Sequence, residues 1–126
     1  MDIGRITIGI KDMSSKKRQL KKFRKQFRED VFSRDKNCCA ICGSKENLDA
    51  HHITDRHRLP CNGYVRSNGI TLCPIHHLMA EKYHKTNGRE WEVEFHPDDL
   101  YWVIGSSLEK VKEDCEKLHG ENNEKK

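Results

Sequence analysis

Cysteines and histidines gather between residues 38 and 84, and their spacing is that of metal ligands. Cys39-Ala-Ile-Cys42 is a C-x-x-C and Cys73-Pro-Ile-His76 a C-x-x-H. Two residues between ligands let one tight turn aim both side chains at the same ion. Two such knuckles supply the four tetrahedral donors of a structural zinc site. Gly43, directly after the first knuckle, suits the backbone of that turn. Cys38 could replace Cys39 at a looser C-x-x-x-C spacing, and Cys61 could compete with His76; the x-x spacing favours Cys39. The six cysteines could instead form three disulfides. The start, Met1-Asp-Ile-Gly-Arg5, lacks the apolar stretch of a secretory signal, which favours zinc over disulfides. Cys38, Cys61 and Cys115 then read as free thiols in small apolar roles.

Between the knuckles stands the adjacent pair His51-His52. Neighbours on a strand point to opposite faces, so one imidazole can bind a metal while the other addresses a different target. Neutral imidazole has an unperturbed pKa near 6.5 and can take a proton from water at neutral pH. Asn68 precedes the second knuckle, and His77 directly follows His76. His77 and Glu81 are four apart and share a helix face, with His84 near it. A metal site made from a strand histidine and a helix histidine is sterically reasonable. Taken singly, His51 and His52 read better as packing residues at a strand end, and His77 as a zinc ligand in place of His76.

These side chains need elements to hold them. Leu48–Ile53 reads as a strand ending on the histidine pair. Residues 54–69 form a loop with turn signals at Pro60, Asn62-Gly63 and Asn68-Gly69. Pro74 to about His84 fits a helix with proline in its first turn. Upstream, Ile6, Ile8 and Ile10 alternate as in a short strand. Residues 14–33 then form a helix with one apolar stripe, Leu20, Phe23, Phe27 and Val31, whose phenylalanines read as core anchors rather than base-stacking groups. Trp91–Phe95 alternates as a further strand, and Asp98–Ile104 is a short helix. Ser106-x-x-Glu109 is a capping box opening a helix over 106–119, with Leu108, Val111, Cys115 and Leu118 on one stripe. Residues 120–126 read as a flexible polar tail. The fold class is α+β.

At 126 residues the chain suits one compact domain. It is 34% hydrophobic and 35% charged, a thin supply of core-forming surface that a bound metal would supplement. Its net charge of +4 is unevenly spread. Lys11–Lys36 holds eleven Lys/Arg against four Asp/Glu, whereas Glu90–Lys126 holds eleven acids against five Lys/Arg. A basic segment of this kind suits a polyanion such as DNA. Lys17, Lys21, Arg24, Lys25 and Arg28 on the helix, with Arg56 and Arg58 after the histidine pair, are the candidate phosphate contacts. A solvated basic surface fits the same residues. No apolar run is long enough to span a bilayer, so no membrane partner is expected and a cytoplasmic, reducing location is.

Four elements agree in order and separation: Cys39-x-x-Cys42, Ala50-His-His-Ile53, Asn68-Gly-Ile-Thr-Leu-Cys73, and Cys73-x-x-His76-His77. Together they resemble the HNH endonucleases, over about residues 31–84. The resemblance implies a small ββα-metal core, in which a two-stranded ribbon, a loop and one helix surround a divalent ion, flanked by an N-terminal basic helix over 14–30 and C-terminal helices. It implies that His51 and His77 bind the catalytic metal, that His52 is the general base, and that Asn68 braces the loop and orients it. Glu81 stands where some members place a further ligand, ahead of His84. Many members carry cysteine at the position of His76. The implied cofactors are Zn²⁺ in the structural site and Mg²⁺, Mn²⁺ or another divalent transition metal in the catalytic one. The implied reaction is DNA phosphodiester hydrolysis to 5′-phosphate and 3′-hydroxyl ends, as nicking by a monomer or double-strand cutting by a homodimer. Such proteins occur in restriction, in mobile elements and beside phage DNA-packaging machinery. The residues also accommodate a non-catalytic zinc-knuckle DNA-binding module, which would not need His52, Asn68 or His77. A redox protein using Cys39 and Cys42 would leave Cys73-x-x-His76 and the histidine pair unexplained.

Overall fold

The computed structural model describes the backbone of residues 2–124 and the side chains of residues 17–118. In chain order the elements are helix α1 (Asp2–Arg34), strand β1 (Asp49–His52), strand β2 (Gly69–Leu72), and helices α2 (Pro74–Lys85), α3 (Pro97–Ile104) and α4 (Leu108–Glu124). Two short 3-10 turns, Arg56–Arg58 and Arg66–Asn68, lie in the loop between the strands. The fold is α+β, helices around one small antiparallel sheet.

Helix α1 contains no proline, and from Lys16 to Arg28 it is rich in Lys, Arg and Gln, so helix propensity is high over that stretch. Only the end of its apolar stripe is covered: Phe27 and Val31 are buried, Phe23 is half-buried and Leu20 is exposed. The strand expected at Ile6–Ile10 is instead part of this helix. Among the described residues the sheet has only the two strands β1 and β2. A strand without a partner leaves its amides and carbonyls unpaired, whereas a helix pairs them internally.

The register sets His51 opposite Ile70 and His52 opposite Gly69. Both faces of the ribbon are covered. On one side Ile53, Ile70 and Leu72 pack with Leu100 of α3 and Val111 and Cys115 of α4. On the other, Phe27 and Val31 of α1 form a second cluster with Ala50 and Tyr64. Gly69 permits that contact, because a Cβ there would run into the Phe27 ring and the Val31 side chain. The Asn68-Gly69 pair is therefore not the turn its composition suggested: Gly69 is extended and opens β2. Asn62-Gly63 does form a turn, with both residues at positive φ.

Four further expectations are corrected. Trp91–Phe95 is a turn rather than a strand, with Glu94 at φ 70° and Val93 83% exposed. Its alternation finds no strand edge to pair with, and Phe95 alone is buried, stacked on His76. Helix α4 is capped by Ser107, whose Oγ accepts from the Lys110 amide at 3.1 Å, while Ser106 Oγ donates to the Ser67 carbonyl. The cap thus sits one residue later than the S-x-x-E pattern placed it. The α4 backbone also continues through residues 120–124, where a frayed tail was expected; residues 125–126 lie outside the described residues. Finally, Cys61 and Cys115 are not free thiols but a disulfide, their Cα atoms 5.3 Å apart. The two are 54 residues apart in sequence, and only the packing of α4 against the inter-strand loop brings them together. Among the described residues no helix is long and apolar enough to cross a membrane.

Candidate functional site

The two knuckles close on one point. The donor atoms of Cys39, Cys42, Cys73 and His76 all lie within 4.8 Å of one another, a group that could hold a metal ion. Cys42 Sγ is 3.8 Å from Cys73 Sγ, and Cys39 Sγ is 3.6 Å from His76 Nδ1. Zinc–sulfur bonds of ~2.3 Å and zinc–nitrogen bonds of ~2.0 Å at tetrahedral angles require about 3.8 Å and 3.5 Å for those two separations. The donor set therefore fits a tetrahedral ion. Local backbone builds it: Gly43, at φ 80°, returns its amide to the Cys39 carbonyl at 2.8 Å, and the Ala40 amide bonds the Thr71 carbonyl of β2. Burial would push the Cys39 thiol up, but backbone amides of Cys42, Cys73 and Ile41 and the His76 ring bring it down to about 6. That favours the thiolate, the form that ligates metal.

A second cluster forms between β1 and α2. Donor atoms of His51, Glu81 and His84 lie within 4.8 Å of one another, again a group that could hold a metal ion. His51 is buried, and its Nδ1 lies 3.1 Å from Glu81 Oε1, yet that nitrogen makes no hydrogen bond of acceptable geometry. The carboxylate is near but out of line with the ring nitrogen. His77 Nε2 lies 3.3 Å from the same Glu81 oxygen, and its Nδ1 is 3.6 Å from Asp49 Oδ2. His77 is thus beside the cluster through Glu81, while His84 belongs to it directly. His84 also holds the His52 carbonyl through Nε2 at 2.9 Å. The close approach of the His51 and His77 rings holds the Glu81 carboxyl well below the usual carboxylate range. Burial lowers His51, whereas the Glu81 contact raises His77.

His52 turns the other way. Its ring stacks on Phe27 at 4.5 Å between centroids with 15° between planes, and meets Tyr64 edge-on at 5.2 Å. Nε2 is buried and has no hydrogen-bond partner. Burial, reinforced by His51 and Arg56, lowers its pKa to about 4, so the ring is neutral at pH 7. Asn68 is fully buried behind it. Its backbone carbonyl accepts from the Ile53 amide at 2.9 Å. Its side-chain Oδ1 accepts from the Thr54 amide, and Nδ2 donates to the carbonyls of Thr54 and Gly63. Asn68 thus ties the two residues after His52 to the far side of the loop, Ile53 through its backbone carbonyl and Thr54 through its side chain. Gly63, at φ 69°, makes room for it: a Cβ there would lie 2.7 Å from Asn68 Nδ2 and 3.3 Å from the His52 ring.

The basic side chains fall in two groups. Lys17, Lys21, Arg24, Arg56 and Arg58 are exposed. Burial would raise the Tyr64 phenol, but hydrogen bonds from Arg24 and Arg56 bring it below its ordinary value, so both guanidinium groups lie beside the His52 pocket. Arg28 is engaged, 2.7 Å from Asp49 and over the Phe32 ring, and Lys25 is 3.9 Å from Glu29.

Compared with known proteins, the chain matches no family model, no curated protein and no solved structure. Phe27, Tyr64 and Tyr101 were not singled out for the site by the sequence. The apolar stripe of α1 gave the only signal for Phe27, that it was buried. No local pattern marked the other two.

Proposed function

We propose that this protein is a divalent-metal-dependent DNA endonuclease of the HNH type, with a ββα-metal centre on β1, β2 and α2 and structural zinc in the knuckles. The observation that carries the reading is the divergence of one histidine pair. His51 faces the Glu81 and His84 donors, and His52, one residue on, is held neutral in an aromatic pocket beside exposed arginines. That divergence supports the division of labour between ligand and base that the sequence resemblance implies.

In this reading, a divalent ion at His51, with Glu81 and His84 or His77, would stabilise negative charge on the phosphate and the leaving 3′ oxygen. His52 accepts the proton of the attacking water, whose oxygen forms the new bond to phosphorus as the bond to O3′ breaks. Asn68 fixes the backbone after His52, and Phe27 and Tyr64 fix the ring. Arg24 and Arg56 would contact DNA phosphates, neutralising charge without reading sequence.

The test is a plasmid assay. Supercoiled DNA with Mn²⁺ or Mg²⁺ should be nicked or cut by the wild type, leaving 5′-phosphate and 3′-hydroxyl ends. His52→Ala should lose at least about a hundred-fold of the rate, the scale of a lost general base. Equal cutting by both proteins would overturn the mechanism. Binding without cutting across several metals would favour the non-catalytic zinc module.

A further inference from the structure

We infer that Tyr101, on α3 and outside the metal-binding segments, is a positioning residue that locks the Asn68 side chain and through it the general base. The inference rests on the nuclease reading above. Tyr101 is buried, and its hydroxyl donates to Asn68 Oδ1 at 2.8 Å. The same hydroxyl lies 2.6 Å from Thr54 Oγ1. A phenol has one proton, and here it goes to Asn68, so Thr54 must donate to Tyr101. The result is a directed chain, Thr54 hydroxyl to Tyr101 hydroxyl to Asn68 amide. Burial pushes the Tyr101 pKa up to about 12, so the phenol keeps the proton it donates.

The chain matters because of what Asn68 holds. With Tyr101 in place, Oδ1 accepts two hydrogen bonds and Nδ2 donates two, to Thr54 and Gly63. A buried amide with all four capacities filled has a single orientation. Without the phenol, one Oδ1 capacity of the fully buried Asn68 loses its partner, and the amide can rock. Thr54 and Ile53 follow His52 directly, so rocking moves the base. Tyr101 joins the Asn68 side chain to the helical layer, and α3 is itself fixed by Leu100 in the core and by the His96–Asp99 capping box at its start.

Tyr101→Phe removes the hydroxyl and keeps the ring. The expected result is a fall in kcat of about ten-fold, the scale of a modest misplacement of a reacting group. KM for DNA should stay within about two-fold, since no phosphate contact is touched. In an Asn68→Ala background the same substitution should change kcat no further. A second readout needs no activity. The Asn68 side-chain NH₂ protons, followed by NMR, should exchange with solvent about ten-fold faster in Tyr101→Phe under conditions where both proteins are fully folded, with zinc content near that of the wild type. Unchanged exchange, unchanged kcat in Tyr101→Phe, or effects that multiply with Asn68→Ala would each overturn the inference. If the wild type cuts no DNA in any metal, the nuclease reading fails, and the exchange readout alone decides whether Tyr101 holds Asn68. It also decides the matter if Asn68→Ala does not fold.

Discussion

His52 shows how much one residue owes to its surroundings. Its neutral ring is stabilised by burial, so protonation is resisted in the folded chain and not in the unfolded one. The unfolded pKa is near 6.5 and the folded value about 4. Between those values the unfolded chain binds a proton that the folded chain does not, so stability falls as pH falls through that window. His52→Gln removes the effect. At pH 5 the wild type should have lost about 2 kcal/mol relative to this variant, compared with their difference at pH 7.5. Urea unfolding at the two pH values checks this, and a pH-independent difference would show that His52 is not held neutral. A cation bound at His51 would push His52 in the same direction.

At the scale of elements, the site depends on two close approaches. The first is α1 onto β2 at Gly69. Gly69→Ala should destabilise the protein by about 2 kcal/mol through overpacking against Phe27 and Val31. It should also loosen the Phe27–His52 stack, so cutting per folded molecule should fall; urea unfolding and the plasmid assay measure the two effects separately. The second approach joins the knuckles. Cys42 is exposed, so Cys42→Ser has little packing consequence of its own. If four donors hold a zinc ion, its loss should show as one equivalent of zinc missing by metal analysis and a large drop in melting temperature, because binding energy of a structural ion is folding energy. A variant with the wild-type melting temperature and no zinc would refute the structural site.

At the scale of the whole molecule, the layers are connected by more than packing. The Cys61–Cys115 disulfide ties the inter-strand loop to α4 across 54 residues of sequence. Closing a loop of that length restricts the unfolded chain by about 4 kcal/mol on the chain-entropy scale. A non-thiol phosphine reductant should therefore lower the urea midpoint of the wild type and leave a Cys61→Ser/Cys115→Ala variant unchanged. An equal response from both proteins would show that the bond does not contribute. The Tyr101–Asn68 bond of α3, the Ser67–Asp114 bond to α4 and the disulfide therefore all brace the inter-strand loop.

By itself the sequence determined what short-range chemistry can write. The knuckles at Cys39, Cys42, Cys73 and His76 were legible because ligand spacing is a property of one turn. The divergence of His51 and His52 was legible because a strand alternates. The bounds of β1, α2 and α3 followed from periodicity and proline. Tertiary structure decided the rest. Ile6–Ile10 and Trp91–Phe95 alternate like strands, but a strand exists only where another edge meets it. Cys61 and Cys115 carried no sign of each other, because their contact depends on where α4 docks. His84 ranked behind Glu81 on helix position alone, and the path of β1 brought it into the cluster with His51. The aromatic pocket of Phe27 and Tyr64 and the Tyr101–Asn68 bond join distant segments, and no local pattern encodes which distant partner a buried ring will meet.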